Sequence, residues 1–169
     1  YSGLTSINLT NTPKLDRVCV ESSNLSVFNV TDSVILGDLR VATQNHGLDS
    51  LILPATISCW HLCCRDNTLT ANVPLQNAPN LQDVMIQVAN QSGELHPCST
   101  KLKILYANNN SYTSANLSGC FPSTRTTNVR LQYNKIEHID LTNCAGITGL
   151  QLQYNKLNQS EVDYVLHTL

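Results

Sequence analysis

The word LQYNK occurs twice in this chain, beginning at Leu131 and again at Leu152. Identical words twenty-one residues apart point to a repeated structural unit, and the apolar residues around them give its shape. Val129, Leu131, Ile136, Ile139, Leu141, Ile147, Leu150 and Leu152 fall on the template L-x2-L-x-L-x4-L-x2-L-x-L-x5. More than a hundred residues earlier the same template fits Leu15, Val18, Val20, Leu25, Phe28, Val30 and Leu36, after a half unit at Leu4, Ile7 and Leu9. The period therefore runs through the chain.

Units start near residues 15, 36, 57, 81, 102, 126 and 147, at spacings of 21, 21, 24, 21, 24 and 21. The third unit reads as Ile57, Trp60 and Leu62, continuing at Val73 and Leu75. The fourth reads as Leu81, Val84 and Ile86, and its second apolar pair has no clear place within QSGELHPCST. Each L-x-L pair suits a short strand whose alternate side chains point inward. One unit cannot bury its own apolar face, whereas stacked units bury a continuous core. The expected fold is a single solenoid domain over 1–169. It is mainly β, with a parallel sheet of short strands along one face and a second short-strand face.

Composition narrows the function classes. Charged residues make up only 13% and the formal net charge is −2, with no basic run, which argues against nucleic acid. No stretch approaches eighteen apolar residues, so no membrane insertion is expected. Abundant Asn, Ser and Thr with 5% aromatics suit turns and strands better than packed helices.

The segments VRLQYNKI and LQLQYNKL carry the pattern L-x2-L-x-L-x2-N-x-[LI], with Asn134 and Asn155 at its asparagine position. With IDLTNCAGITGL, the chain resembles the leucine-rich repeat family, in particular the twenty-one-residue units of internalin-like and Bacteroidetes-like bacterial surface proteins. The resemblance covers nearly the whole chain and is strongest at 126–158. It implies a leucine-rich repeat solenoid that binds another macromolecule on a concave parallel sheet. The first four units depart from it: Ser23, Gln44, Arg65 and Ala89 hold the asparagine position, while Asn24, Asn45 and Asn90 come one residue later. An Asn amide has two donors and an acceptor for the backbone groups of a buried turn, so Asn134 and Asn155 read as a structural ladder.

After Leu157 the template stops. SEVDYVLHTL opens with Ser160 and Asp163 in capping-box order and places Val162, Val165, Leu166 and Leu169 on one helical face. A short helix capping the last unit is expected over 159–169. No matching cap precedes Leu4, so an open N-terminal edge is expected, to be met by more protein or by a partner.

On the first strand of each unit the residue between the inward pair points out. That column reads Cys19, Arg40, His61, Met85, Tyr106, Arg130 and Gln151. Arg17, Asp38, Cys59, Asp83 and Ile104 lie on one side of it. Glu21, Ala42, Cys63, Gln87, Asn108, Gln132 and Gln153 lie on the other. Arg and Tyr are common interface anchors, which makes Arg17 and this column the candidate binding face for a protein or glycan. Asn8, Asn24, Asn29, Asn90, Asn109, Asn116 and Asn158 begin N-x-[ST] and are candidate glycosylation positions. Asn8, Asn29 and Asn116 recur with the unit itself, so a turn role competes with that reading.

CWHLCC is the one stretch that resembles a catalytic or metal site. Cys59, His61 and Cys63 are expected on the concave face. Alternate strand residues lie about 6.6 Å apart, so one ion reaches two of them and no fourth ligand is evident. No orienting acid or oxyanion donor accompanies His61. Neither a metal, nor a cofactor, nor an enzyme is expected. Cys120 and Cys144 share a position after the second strand, with Cys98 as a further candidate for it, and read as buried thiols. The favoured function is a non-catalytic binding module, extracellular or surface-exposed. The alternative is a structural subunit of an extracellular or virion surface assembly, self-associating through the open N-terminal edge.

Overall fold

The computed structural model describes residues 4, 5, 7, 9, 11–21, 24–42, 47–122 and 128–169. Expectations placed on Asn8, Ser23, Gln44, Asn45 and Thr126 lie outside them. The chain is a parallel β-solenoid closed by one C-terminal helix. Its seven-stranded sheet, the face expected to be concave, comprises β1 (Arg17–Glu21), β3 (Asp38–Ala42), β5 (His61–Cys63), β6 (Asp83–Met85), β8 (Ile104–Tyr106), β10 (Asn128–Arg130) and β12 (Gly149–Gln151), hydrogen-bonded in that order. The second face is split. β2 (Val27–Asn29) pairs with β4 (Ser50–Ile52), and β9 (Ser111–Asn116) lies between β7 (Ser92–Leu95) and β11 (His138–Asp140). Between the two parts Leu75–Asn77 forms a single 3₁₀ turn after Pro74, whose ring offers no ladder N–H.

The template residues fill the space between the faces. Leu36, Leu39 and Val41 are fully buried, as are Leu105, Val129 and Ile139. Each such side chain contributes roughly 1.5–3 kcal/mol of transfer free energy. The stretch QSGELHPCST also finds its pair: Leu95 and Pro97 are both buried.

The third unit corrects the sequence reading by two residues. Its inward residues are Cys59, Leu62 and Cys64, all at most 1% exposed, in place of Ile57, Trp60 and Leu62. Ile57 is buried too, but it precedes this unit's first core position. Trp60 remains about a third exposed, with its indole over Gly37. A Cβ on Gly37 would stand only 3.0 Å from the indole nitrogen, a tight contact that glycine avoids. Two thiols act as small hydrophobes inside the unit, a role that apolar patterning overlooks. Burial pushes the Cys59 thiol up to about 12.

The shift also extends the asparagine ladder to the third unit. Asn67, and not Arg65, holds the position in the third unit, and its amide donates to Val41 O at 2.8 Å and Cys64 O at 2.9 Å. Asn110, Asn134 and Asn155 repeat this, each donating to a carbonyl of its own unit and one of the unit before. Their Oδ1 atoms accept from Gln91 N, Tyr112 N and Ile136 N. In the fourth unit Ala89 offers no amide, and Gln91, fully buried, donates to Ala89 O while accepting from Val73 N.

At the opposite corner Cys120 and Cys144 are buried, and the Cys144 thiol donates to Leu117 O at 2.8 Å. Cys98 does not join them. It is exposed with φ 53°, and the buried hydroxyl of Ser99 takes the position, donating to Leu81 O at 2.7 Å. The segment from Leu95 to Ser99 is one residue shorter than Ala115 to Cys120, although Leu95 and Ala115 pair. That deletion moves the thiol outward.

The helix α1 spans Gln159–Thr168. Its N-cap is Asn158, accepting from Glu161 N at 3.0 Å, and not Ser160. Of the expected apolar face, Val165 docks, while Val162, Leu166 and Leu169 remain 38%, 73% and 53% exposed. Val165 and Tyr164 pack on the core, while polar groups finish the strand edge. Inner strands of the second face donate N–H groups to the following unit, as Leu117 N does to Asp140 O. For β11 the helix supplies the acceptors: Ile139 N donates to Glu161 Oε2 at 3.3 Å and Leu141 N to Tyr164 Oη at 3.0 Å. An edge whose donors are satisfied does not require an apolar lid over all of it.

Candidate functional site

Strand register fixes the columns of the concave sheet. The central one reads Cys19, Arg40, Cys63, Met85, Tyr106, Arg130 and Gln151. Cys63 replaces the expected His61, a direct consequence of the two-residue shift. His61 moves to the flanking column of Arg17, Asp38, Asp83, Ile104, Asn128 and Gly149. The expected concave trio of Cys59, His61 and Cys63 is thereby broken, because Cys59 faces the core.

The N-terminal half of the face is occupied by its own charges. The Asp38 carboxylate, 4% exposed, accepts from Arg40 at 2.9 and 3.2 Å and pairs with Arg17 at 3.2 Å. The hydrogen bond to Asp38 raises the Arg40 pKa further. Beside them His61, 8% exposed, lies 3.5 Å from Asp83 and edge-on to Trp60. Arg40 and His61 are thus committed to intramolecular partners. Asp38, which holds both arginines, was legible only as a flank.

The C-terminal half differs. The Arg130 guanidinium lies over the Tyr106 ring at 4.2 Å from its centre. Backbone hydrogen bonds extend the ladder past the strands: Val88 N to Asn108 O, Asn109 N to Gln132 O, and Tyr133 N to Gln153 O. Gln87, Asn108, Gln132 and Gln153 therefore form one row of amides, spaced by roughly the 4.8 Å of neighbouring strands. Among the described residues Gln87 Oε1, Gln132 Oε1 and Arg130 Nε are buried without a hydrogen-bond partner.

Next to that row the backbone turns left-handed in successive units, at Asp66, Val88, Asn109, Tyr133 and Tyr154, with φ between 53° and 60°. Tyr133 and Tyr154 are exposed and stack at 4.4 Å between ring centres, 10° from parallel. The apolar pattern does not single them out; the signal for them in the sequence is a bulky residue where the neighbouring unit places Asn109.

The N-x-[ST] positions divide. Asn24, Asn90, Asn109 and Asn158 are exposed, but the Asn90 amide donates to Leu69 O and Asn158 caps the helix. Asn29 and Asn116 are half-buried, and their Oδ1 atoms accept from Thr31 N and Ser118 N. Asp140, which begins no such motif, makes the same bond to Thr142 N. A turn role therefore suffices for these repeated positions.

Among the described residues no helix is long and apolar enough to cross a membrane. Comparison of the chain with protein-family models, with curated proteins and with solved structures finds no match in any of the three.

Proposed function

We propose that the chain is a non-catalytic recognition module of the leucine-rich repeat kind, binding a macromolecule on the C-terminal half of its concave sheet. The observation that carries this reading is the trio of unpartnered polar atoms, Gln87 Oε1, Arg130 Nε and Gln132 Oε1, gathered around Tyr106 and Arg130. A buried polar atom without a partner costs free energy that a ligand's hydrogen bond recovers. Tyr and Arg are also the residue types most often found as binding anchors. The proposal includes a location outside the cell or on a surface. It narrows the sequence-based face, since Arg17, Arg40 and His61 already have partners.

The test is binding of the chain and of Tyr106→Ala/Arg130→Ala to protein and glycan arrays. Ligands of the unmodified chain that the variant loses by more than about tenfold support the reading. Equal binding by both proteins to every ligand contradicts it.

A second reading, a subunit of a surface assembly, draws on one observation. Among the described residues β1 and β12 each pair on one side only, at opposite ends of one parallel sheet. Head-to-tail stacking would continue that ladder and form an open, non-closing contact. A concentration-dependent rise in mass by light scattering is its expected signature, and a monomer at high concentration excludes it.

A further inference from the structure

We infer that the ligand of this face is a neutral oligosaccharide, bound along the amide row Gln87, Asn108, Gln132 and Gln153 against the rim tyrosines Tyr133 and Tyr154. This deepens the concave-face reading and rests on it. Three observations converge.

The first is the chemistry of the row. An amide both donates and accepts, as a sugar hydroxyl does, and four amides in register offer a line of such groups without net charge. The row changes character along the solenoid. Glu21 stands at the same place in the first unit, and Arg65 at the start of the third unit's extension, where Asp66 N donates to Gln87 O. From Gln87 to Gln153 the row itself is uncharged, with Arg130 the one cation in the neighbouring central column.

The second is the set of unpartnered atoms. Gln87 Oε1 and Gln132 Oε1 are acceptors, while Arg130 Nε is a donor. A ligand that satisfies all three must both donate and accept, which hydroxyls do.

The third is the rim. The fold imposes a left-handed backbone at this position in every described unit from the third onward, and Asn and Asp take that conformation more readily than other non-glycine residues. Asp66 and Asn109 follow that preference, whereas Val88 does not. Two tyrosines at the same place in the last two units, exposed and stacked on each other, run against local preference. Stacking covers one face of each ring and leaves edges, hydroxyls and outer faces beside Gln132 and Gln153 to meet the C–H face of a sugar.

The experiment titrates the chain with hexaoses of N-acetylglucosamine, glucose and mannose at up to low millimolar concentration. Calorimetry and side-chain amide NMR follow binding in the unmodified chain, in Tyr133→Asn/Tyr154→Asn and in Gln132→Met. Asn suits the left-handed position, so the first variant keeps or raises the melting temperature. The expected result is binding of at least one hexaose, weakened more than about tenfold in both variants without loss of stability. Absence of binding to all three sugars overturns the inference, as does binding that both variants retain. Tyr106→Ala/Arg130→Ala separates the two levels. If it loses a protein ligand on the arrays while no hexaose binds the unmodified chain, the sugar assignment falls alone. If it keeps hexaose binding that the rim variant loses, the inference about the rim stands and the central column is not the recognition surface.

Discussion

The Arg130 guanidinium lies over the Tyr106 ring of the neighbouring unit, 4.2 Å from the ring centre, with its Nε buried and unpartnered. The cation–π contact favours the native state by roughly 0.5–1 kcal/mol, while the unpaired Nε opposes it by about 1–3 kcal/mol. Arg130→Met keeps the volume and removes both. Its stability, read from urea unfolding, is expected to match that of the unmodified chain or exceed it by up to about 2 kcal/mol, while binding on the concave face is lost. A large loss of stability would mean that the pair holds the fold rather than a ligand.

The asparagine ladder gives a prediction of the opposite kind. Asn134→Ala leaves Tyr112 N without an acceptor and removes one of the two amide donors to each of Leu131 O and Ala107 O, which keep Asn155 and Asn110. The expected cost is about 2 kcal/mol, read from urea unfolding. Arg65→Ala, at the position that simple counting assigns to the ladder, is expected to change stability by less than about 0.5 kcal/mol.

At the C-terminal cap, Asn158→Ala removes the acceptor of Glu161 N and is expected to cost about 1 kcal/mol. Ser160→Ala is expected to cost little, because Ser160 is an exposed residue inside the first turn. Tyr164→Phe leaves Leu141 N unsatisfied at the end of the second sheet and is expected to cost about 1–2 kcal/mol. Thermal unfolding of the three variants orders them.

The period, the inward residues and the terminal helix were legible in the sequence because Leu, Ile and Val mark them directly. The third unit was misread because Cys59 and Cys64 take core positions while Trp60, the larger apolar residue, stays at the surface over Gly37. That error alone displaced His61, Cys63 and Asn67. In the site, Tyr106 and Arg130 stood out by type. The closure of Arg17 and Arg40 on Asp38 did not, since it depends on side-chain reach between strands. Nor did Tyr133 and Tyr154, whose backbone conformation is set by the turn rather than by the apolar pattern.

Thiol accessibility tests the corrected register. Cys19 and Cys98 are exposed, whereas Cys59, Cys63, Cys64, Cys120 and Cys144 are buried. Burial drives the Cys120 thiol up to about 12 and raises Cys64 as well. A disulfide reagent at mildly alkaline pH is expected to modify Cys19 and Cys98 in the native protein and the other five only on unfolding. Rapid native modification of Cys59 would place that residue outside the core.

Asp140 carries the acid dependence that can be assigned with a sign. Hydrogen bonds from the Thr142 hydroxyl and N–H hold its carboxyl below the ordinary 3.8. A lowered folded value means that its contribution is complete above 3.8 and disappears as pH falls through the folded value. Asp140→Asn keeps the acceptor, as Asn116 does in the preceding unit. The stability difference between the two proteins is expected to be constant near neutral pH and to change only in strong acid. A difference that changes between pH 5 and pH 7 would contradict the assignment.

The most direct test of recognition on the concave face is a side-chain amide NMR titration with the strongest ligand from the arrays. The amides of Gln87, Asn108 and Gln132 belong to the proposed binding face, whereas those of Asn67, Asn110 and Asn134 lie in the ladder beneath the turns. Binding on the concave face shifts the first three and leaves the second three in place. Shifts confined to the ladder, to α1 or to the second face, with Gln87, Asn108 and Gln132 unmoved, would contradict it.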